Sequence, residues 1–93
     1  MFQGLTTKLS ESVVASAATI SPKTDIIHVT GTTPIVNINA TFGGGFSGIL
    51  FIVPVGAFTT TTAGNINNVS TGIVGQLMIM VYSKTNKKWY PSY

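Results

Sequence analysis

Two stretches of this chain have no polar side. Residues 48–55 read Gly-Ile-Leu-Phe-Ile-Val-Pro-Val, and residues 75–82 read Gly-Gln-Leu-Met-Ile-Met-Val-Tyr. Each is short, bounded by glycine or proline and rich in β-branched, aromatic or long apolar residues, which predicts strands rather than helices. Side chains alternate across a strand. Ile49, Phe51 and Val53 therefore share one face and Leu50, Ile52 and, past Pro54, Val55 the other, while Leu77, Ile79 and Val81 lie opposite Met78, Met80 and Tyr82. Both faces of both strands need cover. A chain of 93 residues can hardly build two cores, so part of that cover is expected from further copies of the same chain.

The weaker patterns fill in the rest. Residues 25–30 predict a strand with Ile27 and Val29 on one side and Ile26 and His28 on the other, closed by a turn at Gly31-Thr32-Thr33-Pro34. Residues 35–40 predict a half-buried strand with Val36, Ile38 and Ala40 inward and Asn37 and Asn39 outward. Residues 58–62, one phenylalanine and four threonines, predict an exposed strand, and residues 63–70 a polar loop. Residues 83–88 predict a turn, and 89–92 a short last strand forming a hairpin with the one before it. Residues 1–22 are different in kind, rich in Ala, Ser and Thr. Ser10 as N-cap and Glu11 in the first turn would open a short helix over 10–18; the β-branched Val13, Val14, Thr19 and Ile20 favour an extended arm. The domain reading is an arm over 1–24 and a β domain over 25–93.

Composition sharpens the need for partners. A folded chain of this size buries only roughly 60–65% of the surface its unfolded form exposes. There is no cysteine to staple it. Charged residues make up 8% of the sequence, against roughly 25% in an ordinary globular domain, so charge does little to keep copies apart. The formal net charge is +3, and three of the lysines, Lys84, Lys87 and Lys88, crowd one end of the sequence while 26–83 carries no formal charge. This does not resemble the basic, aromatic-interleaved face of a nucleic-acid binder, and no nucleic-acid partner is expected. No apolar run reaches the roughly 20 residues of a membrane-spanning helix, and no charged start followed by an apolar run marks a signal peptide. The reading is a protein made in the cytoplasm without a membrane partner.

Candidate chemistry is sparse. Gly43-Gly44-Gly45-Phe46-Ser47-Gly48 fits G-x-G-x-x-G, but a strand follows it where a dinucleotide site needs a helix, so a turn or bulge is expected. His28 is the one histidine, and Glu11 and Asp25 are the two acidic residues. Asp25 and His28, three apart on one strand, point to opposite faces, so no catalytic dyad is expected from them and His28 reads as a polar residue at an interface or sheet edge. These residues make no metal set within one chain, although three copies of His28 around an axis would. No enzyme activity, cofactor or metal is predicted. Two triplets, Asn39-Ala40-Thr41 and Asn68-Val69-Ser70, fit the glycosylation pattern without a secretory signal to give it meaning. Trp89 and Tyr90, with Asn65 and Asn67, make a candidate glycan-stacking surface; aromatics on a terminal hairpin also cap small cores, which is the favoured reading.

Residues 25–93 resemble the compact trimeric β modules of bacteriophage virion proteins, both capsid decoration (cement) proteins and pieces of tail or head fibres. The resemblance lies in Ile27-His28-Val29-Thr30-Gly31-Thr32-Thr33-Pro34-Ile35, in residues 48–55, in Ala63-Gly64-Asn65-Ile66 and in Lys88-Trp89-Tyr90-Pro91. It implies an all-β fold, a small antiparallel β-sandwich or barrel-like module forming an intertwined homotrimer with an N-terminal extended arm. Ile49, Phe51, Val53, Leu77, Ile79 and Val81 would form the trimer interface, and Phe2, Leu5, Leu9, Val13 and Val14 would contact the major capsid protein on the outer surface of the virion. A fibre, with its receptor-binding tip, is the alternative; 93 residues are short for an attachment domain, a shaft and a tip together.

Overall fold

The computed structural model describes residues 9–39 and 45–93, and these are all-β with no helix. Seven strands occur in chain order: β1 (Glu11–Ala15), β2 (Thr19–Ile20), β3 (Ile26–Thr30), β4 (Asn37–Ile38), β5 (Gly48–Pro54), β6 (Met78–Ser83) and β7 (Lys88–Pro91). Five of them form one sheet in the order β1-β3-β5-β6-β7, and β2 pairs with β4 in a second, two-stranded sheet.

The sheet is mixed. β1 with β3 and β3 with β5 pair in parallel, while β5–β6 and β6–β7 are antiparallel. The sequence reading of an antiparallel module is corrected here. Parallel neighbours cannot be joined by a tight hairpin and need a crossover of about a dozen residues. The connections from β1 to β3 and from β3 to β5 are crossovers of this kind, and the antiparallel pair β5–β6 is joined by a long connection as well. Between β1 and β3 the chain forms β2, between β3 and β5 it forms β4, and between β5 and β6 it runs through residues 55–77.

Together the crossovers form a second layer. β2 and β4 are continued by parallel bridging of Ile35 with Thr60 and antiparallel bridging of Thr59 with Thr71. Ile66 bridges to Trp89, so the second layer closes onto the β7 edge of the main sheet. Each crossover delivers apolar side chains inward: Ile20, then Ile35 and Ile38, then Phe58 and Ile66, all buried. They pack against Ile27, Val29, Leu50, Ile52, Met78, Met80, Tyr82 and Trp89 from the main sheet in one continuous core.

Several local expectations change with this layout. Ile35 and Ile38 are the inward residues of the 35–40 stretch and Val36 is only half-buried, because this chain bends through the second layer and does not alternate as a flat strand; Ala40 lies outside the described residues. Phe58 and Thr60 are buried, so 58–62 is not an exposed strand. The 63–70 loop contributes Ile66 and Ser70 to the interior. Residues 11–15, read as part of an arm, form the edge strand β1, and Ile20 and Pro22 are buried.

Polar side chains hold the second layer in place. Asn65 accepts from the Ile38 N–H through Oδ1 (2.9 Å) and donates from Nδ2 to the Ile38 carbonyl (2.8 Å), while its own N–H donates to Asn37 Oδ1 (3.2 Å). The Trp89 indole N–H reaches the same Ile38 carbonyl at 3.2 Å. Where the crossover after β3 meets the one after β5, the backbones touch: a Cβ on Gly56 would lie 2.3 Å from the Gly31 carbonyl oxygen.

Two outcomes test this packing. Gly56→Ala forces backbone against backbone and is expected to destabilise the fold by about 1–3 kcal/mol, whereas Gly45→Ala, whose Cβ meets nothing within 4 Å, is expected to leave the urea midpoint unchanged. Asn65→Ala strands the polar groups of a buried turn and is expected to cost about 1–3 kcal/mol in the same titration.

Candidate functional site

Register sorts the main sheet into two faces. On the inner face run the rows Ser12–Ile27–Ile52–Met78, Val14–Val29–Pro54 and Leu50–Met80–Pro91. On the outer face run Glu11–Ile26–Phe51–Ile79, Val13–His28–Val53 and Ile49–Val81–Tyr90. The second layer covers the inner face. Nothing among the described residues covers the outer one.

That outer face is apolar, and its chemistry is more telling than its area. Four inter-strand spacings of about 4.8 Å and three side-chain rows about 6.7 Å apart give an area on the order of 300–400 Å², within the size of the largest patch on many monomers. A solvated sheet face, however, alternates against the buried one and is polar. Here the centre of the exposed face holds Ile26, Phe51, Val53 and Ile79, all half-buried, with Ile49 53% exposed and Val13 70% exposed. All six residues expected at a trimer interface fall on this side or at its rim, with Leu77 just ahead of β6. Within one chain, β5 and β6 each have one buried face and one that no described residue covers.

One polar pair interrupts the patch. His28 Nε2 and Glu11 Oε1 lie 2.7 Å apart across the β1–β3 ladder. Sequence reasoning weighed His28 against Asp25 and missed Glu11, because only the parallel pairing of β1 with β3 brings residues 17 apart in sequence side by side. The pair is an imidazole–carboxylate dyad, the usual orienting half of an acid–base site. By register, the residues around the ring are Val13, Ile26, Thr30 and Val53; of these only Thr30 is polar, and no second acid or base stands among them. No group of three or more metal-ligating side chains occurs among the described residues.

The candidate glycan surface is taken apart by the fold. Trp89 is 1% exposed, tilted against Tyr82 with ring centroids 5.2 Å apart, and its indole N–H points inward. It caps the core and offers no stacking platform. Asn65 spends its side chain on Ile38, Tyr90 is half-buried on the outer face with its hydroxyl bonded to Asn86 Nδ2, and Asn67 is exposed and bonded to Asn68.

Of the residues expected to meet a capsid, Phe2 and Leu5 lie outside the described residues. Leu9 and Val13 are exposed. Val14 turns inward and packs against the core, which removes it from any docking surface. No helix among the described residues is long and apolar enough to cross a membrane. No known protein family, characterised protein or solved structure matches this chain.

Proposed function

We propose that this chain is a non-enzymatic assembly protein, a capsid decoration (cement) protein of a bacteriophage that acts as a homotrimer. The observation that supports this reading is the uncovered outer face of the main sheet, centred on Phe51, Val53, Ile79 and Val81. Three such faces turned toward a common axis bury one another's apolar rows, and each protomer then meets both neighbours through one sheet. The +3 chain with few charges has little electrostatic reason to stay apart from its copies. The virion assignment itself rests on the resemblance of residues 25–93 to trimeric phage modules.

The mechanism is mechanical. A trimer seated where major capsid subunits meet adds buried area across their boundaries and stabilises the assembled shell by mass action. Binding through three protomers at once raises a weak single contact by avidity. Phe2, Leu5 and Leu9 are the side chains assigned to the capsid contact, on the outer surface of the virion. The burial of Trp89 speaks against the alternative of a glycan-binding fibre module.

Purified protein is expected to show a mass in multiples of three chains by light scattering, and Val81→Asp, at a position already exposed in the protomer, is expected to break the three-fold contact while leaving the far-ultraviolet circular dichroism unchanged. A dilute, heat-resistant single-chain species overturns the trimer. Deleting residues 2–9, which stops short of β1, is expected to leave the trimer intact and abolish co-sedimentation with empty capsids; undiminished co-sedimentation removes the arm's role.

A further inference from the structure

We infer that the lysine-bearing end of the main sheet is a docking surface for an acidic patch on another protein. This deepens the proposed role in assembly and rests on it for the identity of the partner, not for the chemistry; it does not depend on the trimer.

Topology gathers the cations. β3 and β5 run parallel and β6 returns antiparallel to β5, so the starts of β3 and β5 and the β6–β7 turn lie at one end of the sheet. Extending the β3–β5 register back from Ile26 and Phe51 sets Lys23 level with Gly48, and Gly48 pairs with Tyr82, just ahead of Lys84. Lys87 and Lys88 complete the group, and Lys8 lies outside the described residues. Lys88 Nζ donates to the Gly64 carbonyl at 2.9 Å and belongs to the fold. Lys23, Lys84 and Lys87 are exposed. Among the described residues no lysine is paired with a carboxylate, and the ion-pair contact there joins Glu11 to His28. Asp25, exposed, is the one other acid at this end, so the ammonium groups are in excess.

The turn that carries two of them holds an unfavourable conformation. Lys87 takes φ 58°, the left-handed region ordinarily left to glycine or asparagine, and no other non-glycine residue among those described does so. A lysine there adds strain that glycine would not, and residues held in this way cluster where the side chain has a use. The turn is nonetheless fixed. Lys87 N–H donates to the Ser83 carbonyl (2.7 Å), and Lys84 N–H donates to Ser47 Oγ (3.2 Å), which ties it to the segment leading into β5.

The surroundings select the occupant. Phe46, 67% exposed, stands in that same segment, ahead of the strand that separates Lys23 from the β6–β7 turn. An apolar centre with a charged rim is the anatomy of a protein–protein contact. Nucleic-acid contacts lean on arginine, and this chain has none. An anionic lipid surface is read by clusters of about four to eight basic residues, and three free ammonium groups fall short of that. Leu9, 42% exposed just ahead of β1, leaves from this end too, so the arm and the lysines address one partner.

Amide shifts of the full isotope-labelled chain, titrated with poly-L-glutamate in place of an acidic protein surface, test this. Changes are expected at 23–25, 45–48 and 84–87, with affinity falling as salt is raised. The double variant Lys84→Glu with Lys87→Glu is expected to bind about tenfold more weakly. Lys87→Gly, which relieves the left-handed strain, is expected to weaken binding while holding or raising the thermal midpoint; a purely structural lysine would leave binding unchanged. No binding, shifts spread over the whole sheet, or affinity unchanged in both variants overturns the inference. Tighter binding of a DNA duplex or of phosphatidylserine vesicles at the same ionic strength overturns it as well, in favour of a nucleic-acid or a lipid surface. Empty capsids separate this from the proposed role. If they retain the double variant but not the chain lacking residues 2–9, the capsid reading stands and the lysine surface falls. If they bind no form of the chain while poly-L-glutamate still maps to the lysines, the capsid reading falls and the surface stands.

Discussion

A single apolar layer holds this protein together, and everything else is arranged around the fact that there is only one. The main sheet contributes Ile27, Val29, Leu50, Ile52, Met78, Met80, Tyr82 and Trp89 to it from one face. The opposing side has no full sheet. It is assembled from three crossovers that each carry one or two apolar anchors, and a loop becomes a layer because Ile20, Ile35, Ile38, Phe58 and Ile66 have nowhere else to escape water. Two of them, from β1 to β3 and from β3 to β5, carry the chain back so that these strands pair in parallel.

A mostly neutral polar framework makes that second layer tolerable, with one ammonium in it: Lys88 Nζ donates to the Gly64 carbonyl at 2.9 Å. Threonine and asparagine supply what longer strands would otherwise supply: Asn65 mimics a strand neighbour for Ile38, and the Thr60 hydroxyl donates a hydrogen bond to the Asn68 carbonyl. Among the described residues no buried side-chain nitrogen or oxygen lacks a partner. Neutral hydrogen bonds carry most of this work because fully buried charges would cost more than so small a core returns. The result is a surface in which charge is concentrated at one end of the sheet and apolar side chains are left on its outer face and at the other end. The uncovered side chains of the outer face are the observation on which the proposed role in assembly rests.

The sequence by itself determined the all-β class, the two apolar strands, the final hairpin with its Trp89 cap, and the insufficiency of one chain to cover them, because period-two alternation and the cost of exposed apolar surface are local properties. It also separated Leu50 and Ile52 from Ile49, Phe51 and Val53. Which of those sets faces inward was decided only by the tertiary structure, since alternation is symmetric and the choice depends on which side the crossovers pass. The parallel register, the burial of Phe58 and Ile66 inside polar-looking linkers, the recruitment of residues 11–15 as an edge strand and the meeting of Glu11 with His28 were decided there too. Each depends on contacts between residues far apart in the chain, and no local pattern encodes a partner that only the path of the backbone brings near.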